Sequence, residues 1–107
     1  MSTKIYNLDE IKKISNPVFQ QYPMIKEVYL FGSYARKEAD EQSDLDFIIV
    51  LDSYDTKSKK SAYCSMIDLE DVFSKQVDVI SEENAKQIMP KTMNRDKVII
   101  YERINQV

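Results

Sequence analysis

Apolar and polar positions change period several times along the chain, and each change predicts an element. Leu8, Ile11 and Ile14 recur at helical spacing, and Asn7 followed by Glu10 is a capping-box signature at their start. A helix is expected over about 8–22, kinked or restarted at Asn16-Pro17 and closed by Pro23, with residues 1–6 loose. VYLF is β-branched and aromatic, which predicts a strand at about 26–31 that Gly32-Ser33 stops abruptly. Ser33 then opens a short helix, YARKEA, and DLDFIIVL predicts a second strand that begins with two carboxylates. Asp52 to Lys60 is polar and reads as an exposed loop. From Lys59 to about Ser74, Ala62, Met66, Leu69 and Phe73 return at helical steps, with Ile67 and Val72 beside them. Asp68, Glu70 and Asp71 then fall on the solvent side. VDVIS predicts a short strand at 77–81, and Ser81 caps a helix through about Ile88 with Glu82 and Glu83 in its first turn. A polar connector, PKTMNRD, leads to a last strand at about 98–102, and the tail from Arg103 is expected to fray. The order α-β-(short α)-β-α-β-α-β predicts an α+β domain: a mixed sheet of about four strands with helices mainly on one face.

Strand alternation puts chemistry on that sheet. Asp44, Asp46, Ile48 and Val50 share one face, and the two aspartates lie roughly 6–7 Å apart at Cα. Like charges so close repel when both ionise, and Mg²⁺ relieves this because it takes carboxylate oxygens together with substrate phosphates. Gly32 lets a ligand approach the backbone, and the helix opened by Ser33 points free N–H groups at an anion. A phosphate seat beside a carboxylate clamp is equipment for phosphoryl or nucleotidyl transfer. Taken singly, each half has a bland reading as an ordinary turn. Asp78 has two readings as well: a charge that protects an edge strand from aggregation, or a third carboxylate facing Asp44 and Asp46. The lysines at 57, 59 and 60 fit a solvated loop better than a phosphate or partner contact.

Composition narrows the classes. At 107 residues the chain is read as one domain, 1–107, with its core at about 8–102. Hydrophobic residues at 43% and charged residues at 31% are ordinary globular usage, and no apolar run has membrane-span length. No secretory signal opens the chain, and the single Cys64 has no partner for an internal disulfide, so a cytoplasmic location is expected. Cys64 is expected to be packed or half-exposed. Histidine is absent, which removes His-based zinc sites and Ser-His-Asp chemistry. A net charge of −3 makes direct nucleic-acid binding a poor expectation.

Gly32-Ser33, ten intervening residues and Asp44-Leu45-Asp46 resemble the signature of the DNA polymerase β-like nucleotidyltransferase superfamily. SYAR, SDLDFIIV and the later aspartate in VDVI resemble its minimal nucleotidyltransferase (MNT) branch. The resemblance runs from about Leu8 to Glu102. It implies that Gly32 and Ser33 hold the triphosphate of ATP and that Asp44, Asp46 and Asp78 ligate two Mg²⁺ ions. Asp78 would also help deprotonate the incoming hydroxyl. Arg36 would reach a phosphate, although a salt bridge to Glu38, Asp40 or Glu41 explains it equally well. Many members carry glycine after the Ala-Arg pair, where this chain has Lys37. If that position needs positive φ, lysine there costs about 1 kcal/mol and the loop path can differ. The resemblance further implies a hetero-oligomer with a HEPN-domain ribonuclease toxin, which the MNT antitoxin neutralises by moving AMP from ATP to a toxin tyrosine. The alternatives are nucleotidyl transfer to a small molecule or RNA end, and a binding module that neutralises its partner by covering it.

Overall fold

The computed structural model describes residues 4–88 and 95–103. Its elements are α1 (Leu8–Gln20), β1 (Ile25–Phe31), α2 (Gly32–Ala35), β2 (Leu45–Leu51), α3 (Thr56–Phe73), β3 (Val77–Ser81), α4 (Glu82–Ile88) and β4 (Val98–Glu102). The strands lie in the order β3-β2-β1-β4. β1 pairs antiparallel with β2 and β4, whereas β2 and β3 are parallel. A parallel pair needs a crossover, and α3 supplies it. The expected mixed four-stranded sheet is therefore present, and its helices lie mainly on one face.

Alternation along β2 divides the sheet. Leu45, Phe47, Ile49 and Leu51 join Val28, Leu30, Val77 and Ile100 in the main core, under Ile11, Val18 and Phe19 of α1 and Leu69 and Phe73 of α3. Phe19 meets Phe47 edge-on at 5.9 Å between ring centroids, and Phe47 lies 6.4 Å from Phe73. The opposite face has a small cluster of Phe31, Ile48 and Ala85, with Tyr29 and Ile80 packed against it. Among the described helices, α4 packs on β2 and β3 from that side through Ala85. No helix among the described residues is long and apolar enough to cross a membrane.

The capping box at Asn7 is formed in full: its Oδ1 accepts the Glu10 N–H at 2.8 Å, and Glu10 Oε1 accepts the Asn7 N–H at 3.1 Å. Several expectations need correction. α1 ends at Gln20 and runs through Pro17. Asn16 stitches it to β4, its Nδ2 donating to the carbonyls of Lys12 and Ile100 at 2.7 and 3.0 Å. The short helix is GSYA, earlier than YARKEA, because Gly32 itself begins the turn. The polar loop is shorter than expected. Asp55 Oδ1 accepts the Ser58 N–H at 2.8 Å, so α3 begins at Thr56 and all three lysines are helical. Ile67 and Val72 are 50% and 45% exposed, since Ala62, Ser65, Leu69 and Phe73 form the inner face. Cys64 is exposed. Asp68 accepts the Tyr22 hydroxyl, and Glu70 accepts the Val77 N–H at 3.4 Å, so neither is simply solvated. Tyr6 is tied down, its hydroxyl donating to the Phe73 carbonyl at 2.8 Å. Arg103 is likewise held, with its N–H on the Lys26 carbonyl at 2.9 Å and its guanidinium on Asp52. The expected looseness of residues 1–3, most of the connector (90–94) and the tail beyond 103 lie outside the described residues.

Candidate active site

β1 delivers the chain to Gly32, whose φ is +75°, a left-handed value that glycine alone adopts freely. Space makes the same demand. A Cβ on Gly32 would collide with Asp46 Oδ2 and stand 3.2 Å from its Cγ. Asp46 reaches this place because it pairs with Phe31, the residue just before the glycine. Gly32 thus lets the turn and the carboxylate occupy adjoining space. No side-chain hydrogen bond caps the first turn of α2.

The parallel pairing then brings in Asp78, which lies opposite Asp46 in register. Asp44 sits one residue ahead of β2, and not on the strand as the sequence pattern predicts. Its loop is pinned from beneath. Lys75 is buried and its Nζ donates to the Glu41 carbonyl at 3.2 Å, while the Leu45 N–H bonds the Gln76 carbonyl at 3.1 Å. Asp40 closes the loop on itself by accepting the Gln42 N–H at 2.8 Å.

This crowding has an electrostatic signature. Burial first, then the charge of Asp78 and a hydrogen bond with it, then Asp44, push the Asp46 carboxyl up to about 7. Arg36 acts in the other direction. Asp46 therefore keeps a proton far above the ordinary carboxylate range, and the cluster is short of positive charge. Hard carboxylate donors in that condition suit a divalent cation such as Mg²⁺. Among the described residues, no three acidic, cysteine or histidine side chains converge tightly enough to hold a metal by themselves.

Arg36 stands at the rim, already engaged: its Nε donates to Glu38 at 3.1 Å, and Nη1 lies 3.7 Å from Asp96. Of the acidic neighbours expected from sequence, Glu38 is a partner, and Asp96 was not foreseen. Lys97 was also missed. Its Nζ sits 4.4 Å from the Tyr29 ring centre, on the carboxylate face. Period-two alternation from Lys97 to Ile99 is the signal that could have placed it there. Lys37 has a φ of +59°, so the loop keeps the left-handed turn that glycine would favour, and lysine bears the strain.

Three comparisons bear on this geometry. The sequence pattern of the polymerase beta nucleotidyltransferase family matches residues 12–106. A protein of Methanocaldococcus jannaschii named "putative protein adenylyltransferase" is 36% identical over 75 residues, 70% of this chain and 77% of that protein. The fold superposes on a chain from a toxin–antitoxin crystal structure with AMP-PNP, at a TM-score of 0.70 and 18% identity, covering 92% of this chain and 75% of that one. It also superposes on a chain from a complex of a tri-AMPylated Shewanella oneidensis HEPN toxin with an MNT antitoxin, at 0.58 and 14%, covering 86% and 73%. At those identities the structural likeness carries the fold alone.

Proposed function

The chain belongs to the polymerase beta nucleotidyltransferase family, and from that premise we propose that it is a Mg²⁺-dependent protein adenylyltransferase that acts as an antitoxin. It moves AMP from ATP to a tyrosine hydroxyl of a HEPN-domain toxin and releases pyrophosphate. The observation that carries this reading is the meeting of Asp46 and Asp78 against a turn that only glycine fits. The names of its relatives and the AMPylated toxin in a structurally similar complex support the acceptor class.

In this reading Gly32 and Ser33 hold the triphosphate, and Arg36 exchanges Glu38 and Asp96 for a phosphate oxygen. Asp44, Asp46 and Asp78 would hold two Mg²⁺ ions, which when bound supply positive charge that polarises the α-phosphate and offsets the charge of the departing pyrophosphate. The acceptor hydroxyl oxygen forms a bond to the α-phosphorus as the bond to the β-phosphate oxygen breaks. Asp78, exposed beside Asp46, takes the hydroxyl proton. The acceptor comes from the partner, since the described surface around the carboxylates offers a nucleotide-activating half-site. The working location is the cytoplasm, where ATP and a toxin would both be at hand.

Incubation with α-labelled ATP, Mg²⁺ and a HEPN-domain toxin should label the toxin, and Asp44→Ala and Asp46→Ala should each abolish the signal. Undiminished labelling by these variants would remove the aspartates from the site.

A further inference from the structure

The outer face of α3 carries a pattern that the catalytic reading leaves unused. Lys60, Cys64, Ile67 and Asp71 follow one another at steps of four, three and four along the helix, the spacing of a coiled-coil seam, with Tyr63 alongside. All five are exposed, Tyr63 at 60% and Ile67 at 50%. No ion pair or hydrogen bond engages the Lys60 or Asp71 side chain among the described residues. The seam is self-complementary. When two copies of α3 run antiparallel about a two-fold axis, Lys60 faces the partner's Asp71, and Cys64 faces the partner's Ile67. Tyr63 and Ile67 of both copies then close the middle. A two-fold contact repeats each pairing, so one opposite-charge match becomes two.

We propose that this face joins two copies of the chain back to back. The placement is compatible with catalysis, because the inner side of α3 packs on the sheet face opposite Asp46 and Asp78. A pair built in this way leaves both carboxylate faces turned outward, each free to meet its own acceptor. The charges also make a second copy a better occupant than an unrelated strongly acidic or strongly basic surface, which would meet one end of the seam with like charge. The contact is short, so the dimer is weak, with a dissociation constant on the order of 100 μM for an interface below the standard size.

The proposal is independent of the transfer reaction, and sedimentation of the full chain tests it without nucleotide. Wild type should pass from monomer to dimer between about 10 μM and 1 mM. Ile67→Glu should remain monomeric throughout. Lys60→Asp and Asp71→Lys should each weaken association about tenfold, and the double variant Lys60→Asp/Asp71→Lys should recover it to within about threefold, as expected when paired charges are exchanged. Circular dichroism should show all variants folded, since the altered side chains are exposed. A wild-type chain that stays monomeric at about 1 mM overturns the proposal and leaves the seam to a different protein. A double variant as weak as the single ones, or an Ile67→Glu chain that dimerises like wild type, overturns it as well.

Discussion

The two faces of the sheet do opposite work. Behind it, Phe47, Leu45 and Ile49 are fully buried against Phe19 of α1 and Leu69 and Phe73 of α3, with aromatic rings in contact at 5.9–6.4 Å. In front, the apolar cluster is three buried residues, and the same strand brings Asp46 beside Asp78. One face stabilises the chain by removing apolar surface from water, and the other holds carboxylates closer than they would choose. Phe47 and Asp46 are neighbours in sequence, so strand alternation is all that separates the stabilising side from the strained one. Crowded acid groups with no neutralising cation beside them are expected to reduce the stability of the protein.

The contrast can be broken most forcefully by substituting those two neighbours. Phe47→Ala should destabilise the chain by about 3–5 kcal/mol, from lost burial and the cavity left behind, as read by urea denaturation at pH 7.5. Asp46→Asn should move the midpoint upward while removing nucleotidyl transfer. A fall in stability for both would mean that the front face is ordinary packing.

A titration sharpens the same point with a smaller effect. Asp46 is held at about 7 in the folded chain, against 3.8 as its ordinary value. Between those pH values the native protein binds a proton that the unfolded chain does not, so stability falls as pH rises through this window and levels off above about 7. Allowing for screening of a partly exposed group, the drop should be roughly 1–2 kcal/mol, and Asp46→Asn should lack it. Melting temperatures of the two proteins between about pH 4.5 and 8 would decide. Smallest is the change at the loop after α2. Lys37→Gly relieves a left-handed lysine and should stabilise by about 0.5–1 kcal/mol, with no loss of transfer. An unchanged or lower midpoint would show that the lysine side chain offsets its backbone strain.

Much of this arrangement was legible in the residues because it is local. The Asn7 capping box and the strands 77–81 and 98–102 follow from neighbours in sequence. The Asp46–Asp78 pairing was legible in part, since alternation fixes each side chain's face while the register between distant strands is tertiary. What escaped reading is nonlocal or contested. A lysine-rich stretch looked like loop, yet one N-cap from Asp55 began the helix at Thr56. Lys75 is buried under the loop that carries Asp44, a tertiary contact that no local pattern announces. Asp96 meets Arg36 only because β4 folds back beside β1. Ile67 and Val72 looked like core because helical spacing alone does not say how wide the buried stripe is.

The most direct test is thermal denaturation of wild type and Asp46→Asn at pH 8, each with and without Mg²⁺ and ATP. Without ligand the variant should melt higher, because the carboxylate strain is gone. With ligand the wild type should gain several degrees, as binding to the native state requires, and the variant should gain none. A variant that melts lower without ligand, or gains as much as wild type with it, would contradict the division of labour between the two faces.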